Sequence, residues 1–429
     1  MMRTPFLDNE RGAITVLGLF LFIVSMMVGG LALDVSNAVK ARTQLQMTAD
    51  TAGHAALVWR FYNDADSAKD KALELAAKSM PSSYYGSVLE RQDITFGHWD
   101  RASETFTPDP ASQEAVLVST RRLAENNNGV GTYLLKLVGV DAWDLNTDAV
   151  WELGVPRCLK EGYVAEDVIS LQSDNTFKSG FCVHSNTGLN FANHNTFEAD
   201  VKISVPDIAT DVDATFSTNH GLEEALYENY YALNIPQRIQ KIRDGITDPA
   251  SEYWRDFVTS AAITDVDYKS QLTPENLAPG GIYEMTCPAP TTKIRMPAGT
   301  VLENIVLLTN CQIIIGQDSK LQNLTIINSN TSASSISGAS GIDFGLNDNC
   351  APGGATQIVS MGGLSFPTQV SIYDSQLLAN GDISFTSHAD GIKGASIVSG
   401  GKIDTNSHIT MGFCGASENF KFEFVRLAM

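Results

Sequence analysis

The stretch Leu302-Glu303-Asn304-Ile305-Val306-Leu307-Leu308 is answered nineteen residues later by Leu321-Gln322-Asn323-Leu324-Thr325-Ile326-Ile327. Both read Leu-x-Asn followed by a mostly apolar run. The spacing recurs downstream, where Gly362-Gly363-Leu364-Ser365-Phe366 matches Gly381-Asp382-Ile383-Ser384-Phe385. In turn Gly381-x-Ile383 with Ser387-His388 matches Gly401-x-Ile403 with Ser407-His408. With Ile342 included, apolar positions fall at 302, 321, 342, 364, 383 and 403. A fixed period near twenty residues is the signature of a solenoid. Such a coil has no room for a helix, and Val, Ile and Leu alternate with Ser, Asn and Gly. The expected fold over 276–417 is therefore an all-β parallel β-helix. An antiparallel sandwich, with strands every ~8–12 residues, is the competing arrangement.

Outward from the repeats, the texture of short alternating runs also covers 156–210, a first β segment that includes 168–171 and 201–205. Between them, 211–275 reads as a helical insertion, carried by GLEEALYENYYALNIPQRIQKIRDGI and EYWRDFV. Residues 418–429 read as a C-terminal tail. Upstream, 81–155 forms a small α+β unit with strands at 93–99, 114–120 and 145–153 and a short apolar helix near 131–138. A chain of 429 residues exceeds what one core usually organises, so a multidomain protein is expected.

From Ala13 to Leu33 the run AITVLGLFLFIVSMMVGGLAL carries no charge. As a helix it spans about 30 Å, one hydrocarbon core. A cleaved signal peptide competes, since Gly30-Leu31-Ala32 resembles a small-residue cleavage site. The run exceeds the ~7–15 residues of a signal core, however, and the preceding residues have no net charge. The expectation is a cytoplasmic tail at 1–12, a transmembrane helix at 13–33, and a helix continuing unbroken over 34–80, where strong helix formers meet no proline. Ala38, Leu45, Ala49, Ala52 and Ala56 mark a small-residue packing stripe along it.

Flanking charges orient this helix poorly, because Arg3 and Arg11 on one side are balanced by Lys40 and Arg42 on the other. The cysteines carry the decision. Cys158, Cys182, Cys287, Cys311, Cys350 and Cys414 all follow the anchor, and none shows CxxC spacing. An even set suits disulfides in an oxidising compartment. Sequential pairing (158–182, 287–311, 350–414) closes the shortest loops; six buried thiols are the alternative. The chain holds 29 basic and 49 acidic residues, a net charge of −20 that lies wholly beyond the anchor. Such a surface repels phosphate backbones, so no nucleic acid partner is expected.

No GxSxG, HExxH, P-loop or GxGxxG occurs. The expectation is no catalytic residue, no cofactor, no metal and no small-molecule substrate. A β-helix polysaccharide lyase or hydrolase would need carboxylates, for which Asp343, Asp348, Asp382 and Asp404 are the candidates. His388 with His408, and His184 with His194, are the metal candidates weighed against plain repeat structure. Asn323, Asn328 and Asn330 suit amide ladders between coils. Trp99, Trp143, Trp151 and Trp254 are core residues or sugar platforms.

Arg11-Gly12-Ala13-Ile14, Gly30-Leu31-Ala32-Leu33-Asp34-Val35, Ala41-Arg42-Thr43-Gln44-Leu45-Gln46 and Thr48-Ala49-Asp50-Thr51-Ala52 together carry a resemblance. The N-terminal half resembles the TadG-like proteins of tight-adherence (Flp) pilus assembly, the TadE/TadG-like N-terminal region. In that family an uncleaved anchor ends in Gly-x-Ala-x-Asp and continues into a Leu-Gln-x-x-x-Asp helix. The corresponding positions here are Gly12, Gly30, Asp34, Arg42, Leu45, Gln46 and Asp50. Phe96-Gly97-x-Trp99-Asp100, Phe106-Thr107-Pro108, Ala115-Val116-Leu117-Val118 and the apolar 134–140 segment are similar to the family's exported part, a weaker likeness continues through Gly180-Phe181-Cys182-Val183-His184-Ser185-Asn186, and 215–429 bears hardly any likeness. Pilin-like relatives are trimmed after a Gly with Glu five residues on; here Leu17 follows Gly12 at that spacing, so no cleavage is expected. Some members carry a D-x-S-x-S metal motif, of which Asp34-Val35-Ser36 matches only the start.

The resemblance implies a non-enzymatic accessory protein of pilus assembly or surface adherence. It would be single-pass in the inner membrane with a periplasmic C-terminal domain and other pilus-assembly components as partners. An envelope adhesin or glycan-binding β-helix is the alternative.

Overall fold

The computed structural model describes residues 11–154, 157–415, 418–421 and 423–429. Most of the expected cytoplasmic tail, 1–10, thus lies outside the described residues. The chain divides into two compact units, Met1–Gly154 with Val425–Met429, and Val155–Phe424.

In the first unit, α1 (Arg11–Arg60) is one helix of 50 residues. Its first part is exposed and apolar, and it is long and apolar enough to cross a membrane. Farther along, Ala41, Leu45, Ala49, Ala52, Ala56 and Leu57 are buried, while Ala38 is half-buried. The expected unbroken helix over 34–80 is corrected here, because the chain turns after Arg60 and resumes as α2 (Ala65–Ser79). Local bonds compete with the helix ladder at this turn. Asn63 Nδ2 donates to the Trp59 carbonyl at 3.0 Å, and Asp64 caps α2 by accepting from the Ser67 N–H at 2.8 Å. Ala68, Ala72 and Ala76 of α2 share a buried core with the α1 stripe, so small side chains bring the two backbones close.

These helices cover a five-stranded sheet ordered Thr105–Pro108, Ile94–Asp100, Ala115–Arg122, Leu145–Gly154, Phe424–Leu427. The last strand corrects the expected C-terminal tail. Val150 donates to the Met429 carbonyl at 2.7 Å, and Ala428 donates to that of Val150 at 2.7 Å. The short helix expected near 131–138 is a 3-10 turn at Leu135–Val138.

The second unit is a β-solenoid of stacked parallel strands. The quoted repeat stacks as read, with Leu302 on Leu321 and Ile305 on Leu324. Its asparagine is a corner: Asn304 and Asn323 have φ of 56° and 45°, a left-handed bend that Asn tolerates better than most residues. The six-position series is corrected in part. Leu364, Ile383 and Ile403 share one column, but it continues to Ile336. Leu321 stacks instead on Phe344, and Ile342 on Val370. A coil has more than one apolar face, and the long loop before Thr356 shifts the phase between them.

The order of coils in space differs from their order in sequence. Following one inward column gives Tyr283, Leu307, Ile326, Ile358, Leu377, Ile397, Tyr163, Val183, Ile203 and Leu226. The C-terminal coils therefore stack directly on the first β segment, and 156–210 and 276–417 form one continuous core. The segment between them includes α3 (Ile235–Gly245) and, rather than a pure insertion, also strands Val212–Ala214, Leu226–Glu228 and Ile263–Asp265, all in the solenoid sheet. Ile235, Ile239, Ile242 and Ile246 make one helical face. They form a second buried cluster with an outward column of Leu308, Ile327, Val359, Leu378, Val398 and Val164.

Three disulfides, Cys158–Cys182, Cys287–Cys311 and Cys350–Cys414, pair the cysteines in sequential order. An asparagine ladder forms away from the expected positions. The Asn195 N–H donates to Asn219 Oδ1 and the Asn175 N–H to Asn195 Oδ1, both at 3.0 Å, and the Ile409 N–H reaches Asn175 Oδ1 at 2.9 Å across the junction. Of the expected set, Asn323 Nδ2 donates to Asn304 Oδ1 at 3.0 Å, whereas Asn328 and Asn330 bond to backbone carbonyls.

Tyr163 sits at the junction, fully buried, with no partner for its hydroxyl and an edge-on contact to Phe181 at 5.1 Å. Tyr163→Phe should stabilise the protein by about 1 kcal/mol, since an unpaired buried hydroxyl is removed, and Tyr163→Ala should cost about 3–5 kcal/mol. Chemical denaturation of the three proteins measures both. Asp374 supplies a pH test. Burial, then repulsion from Glu161, Glu418 and Asp348, pushes its carboxyl from 3.8 up to about 7. The folded chain holds this proton after the unfolded chain has released it, so stability should fall as pH rises between about 4 and about 7. Asp374→Asn keeps a residue suited to the local φ of 44° and should melt higher than wild type at pH 8, with the gap closing by pH 4.

Candidate functional site

The residues quoted for the family resemblance converge on one place in the first unit. Gly30 has no side chain where Leu134 sits, and a Cβ there would lie 2.1 Å from Leu134 Cδ1. One turn later, Asp34 is fully buried and its carboxylate accepts three backbone N–H groups, from Tyr133 at 2.5 Å, Leu134 at 3.0 Å and Leu135 at 2.8 Å. Those N–H groups open the 3-10 turn Leu135–Val138 and would otherwise lack partners. The carboxylate therefore caps the turn as an acidic N-cap does, but from another element.

The contact continues along α1. Asn37 Nδ2 donates to the Gly131 carbonyl at 3.2 Å. Gln46 Nε2 donates to Asp50 Oδ1 at 2.9 Å and to the Asp148 carbonyl at 3.2 Å, so Asp50 orients the amide that Gln46 presents to the sheet. Leu45 is in the core, and its carbonyl accepts from Thr120 Oγ1 at 3.0 Å. Arg42 is exposed, and Gly12 lies in the first turn of α1. Asn37 and Thr120 are members that the sequence reading missed. The i, i+3 spacing of Asp34 and Asn37 on one helix face was the available signal.

The other candidates do not assemble. Asp382 accepts from the Lys402 N–H at 2.9 Å and Asp348 from the Ala351 N–H at 3.0 Å. Asp343 pairs in register with Lys320 and Ser371, and Asp404 with Ser384 and Ser170. His184 is buried between Ser204 Oγ at 2.7 Å and Asn186 Oδ1 at 2.8 Å, and burial lowers its pKa to about 4. His194 has a left-handed backbone, His408 lies 3.8 Å from Asp174, and the His388 side chain is outside the described residues. Among the described residues no group of three or more His, Cys, Asp or Glu could hold a metal ion. Trp151 packs against Gly53 and His54 of α1, while Trp99 and Trp143 are half-buried. Trp254 lines a cleft of about 350 Å³ with Arg255, Asp256, Phe257, Asn323, Gly353 and Glu418.

Comparison with known families agrees with this division. Residues 162–415 match the model of the family described as Domain of unknown function (DUF7867), and residues 12–67 match the Tad family, Flp pilus-assembly TadE/G-like. Nothing matches among curated proteins or solved structures.

Asp34→Ala should raise the hydrogen-exchange rate of the Tyr133, Leu134 and Leu135 amides roughly tenfold or more, because a charged acceptor is lost. Gly30→Leu should expose 132–141 to protease by displacing Leu134 while leaving the disulfide-braced solenoid resistant. Mass spectrometry of the exchanged and digested proteins checks both.

Proposed function

This chain belongs to the DUF7867 family, and because its TadE/G-like helix is the part that holds the first unit together, we propose that it is a non-enzymatic, membrane-anchored accessory protein of Flp/Tad-type pilus assembly. In this reading the charge-free part of α1 crosses the inner membrane and the residues that follow it stand in the periplasm. The observation that carries it is the use of Gly30, Asp34 and Gln46, all TadE/G-like positions, to seat one structural unit on the helix. A structural role is supported by Asp382, Asp348 and Asp404, which bond to backbone or stack within the solenoid. The cleft among Asp348, Tyr373, Asp374 and Lys393 has no room for a water molecule. Three disulfides support an oxidising compartment.

Deleting the gene should reduce surface pili and attachment, with recovery on expression of the full chain but not of Asp34→Ala. Unchanged piliation in the deletion strain would refute the assembly role. A periplasmic location predicts that thiol reagent labels none of the six cysteines in denatured, unreduced protein from cells.

A second reading, a glycan-binding solenoid, is favoured by the cleft beside Trp254, where aromatic rings and the Arg255 guanidinium share one opening. It expects binding on a glycan array that Trp254→Ala abolishes.

A further inference from the structure

The turn that Asp34 holds has an apolar outer face. Leu137, Val138 and Tyr133 are 77%, 73% and 64% exposed, although Leu134 and Leu135 beside them are half-buried against α1. Together with Ile23, Met26, Met27 and Leu31 of α1, the residues Leu134, Leu135, Leu137 and Val138 line a groove of about 490 Å³ that is almost wholly apolar. The α1 side of that groove is the charge-free run itself. At about 1.5 Å per residue, Ile23 lies about 16 Å along the helix from Asp34, roughly the depth of one leaflet.

We propose that the loop 132–141 is a second membrane contact, entering the leaflet on the domain side of the bilayer beside α1 with lipid acyl chains filling the groove between them. The inference rests on the reading that α1 spans the membrane. Continuity of the groove with the anchor identifies the occupant, since a surface that shares Ile23, Met26 and Leu31 with a membrane helix meets the same solvent as that helix.

Backbone chemistry agrees. Irregular chain enters an apolar medium only when its polar groups are satisfied from within. The Tyr133, Leu134 and Leu135 N–H groups are taken by Asp34. Leu137 donates to the Leu134 carbonyl at 3.0 Å, Gly139 to that of Lys136 at 3.2 Å and Val140 to that of Leu135 at 3.1 Å. Thr132 Oγ1 donates to the Val140 carbonyl. Tyr133 and Lys136 suit the headgroup boundary, the first as an amphipathic ring and the second by extending its ammonium toward water. Asp34 thus has two effects in one position. It fixes the loop to the anchor, and it removes the three donors that would keep the loop out of the membrane.

All six native cysteines are in disulfides, so Leu137→Cys in the full-length protein offers a single reactive thiol. An environment-sensitive fluorophore at that site, with the protein in phosphatidylcholine–phosphatidylglycerol vesicles, should be quenched by nitroxide-labelled lipid. It should also be quenched by iodide several-fold less than the same fluorophore at Ser103→Cys, in an exposed turn. Val138→Cys gives the same reading should Leu137→Cys misfold. Leu21→Cys reports on the anchor alone. Lipid quenching at Leu21 without lipid quenching at 137 or 138 overturns the loop contact and leaves the anchor standing, whereas no lipid quenching at Leu21 overturns the anchor reading itself. Iodide protection at 137 without lipid quenching would show a protein occupant, a second copy or another subunit, and would also overturn the proposal.

Discussion

The stacking of Ser396–Ser399 on Gly162–Ala165 is the contact on which the second unit depends. It joins the last repeated coil to the first, so coils that are more than two hundred residues apart in sequence bury one another's apolar faces. Without it the solenoid would have two more open edges, each a row of unpaired backbone groups and a template for misassociation. Ile397 against Tyr163 and Val398 against Val164 continue the inward and outward columns across the seam, and Asn175 extends the amide ladder over it.

The course of the segment between the two β stretches follows from that order. A chain that finishes its early coils at one end of the stack must return to the other end before laying down the rest. The return segment carries the helical face Ile235, Ile239, Ile242 and Ile246, which covers an outward column of Leu, Ile and Val. That column is apolar on the side where a β-helix usually meets water, and its cover is supplied by the same chain. Connection and packing are thus one solution, since the segment that bridges the ends also buries the exposed column.

In the first unit a comparable economy operates at Asp34. Buried carboxylates are costly unless their oxygens are fully engaged, and here three backbone donors from one turn engage them. Gly30 completes the seat by leaving space for Leu134. Stripping either feature would separate an apolar turn from the helix that holds it.

Much of this was legible in the sequence. The charge-free run, the period near twenty and the alanine stripe each express a local physical rule, namely bilayer thickness, coil perimeter and close helix packing, whereas the left-handed corner at the repeated Asn was seen only in the backbone. Gly30 and Asp34 could be marked from family likeness, but their partners lie about a hundred residues away, and no local pattern announces a turn that needs three acceptors. The helix break at Asn63-Asp64 was missed because side-chain bonds to the backbone outweighed good helix propensity. The permuted stacking, the path of the return segment and the C-terminal strand were decided only in three dimensions. Parallel strands pair by complementary faces and backbone hydrogen bonds rather than by sequence order, and a twenty-residue period says how far one coil extends without saying which coil lies next to it.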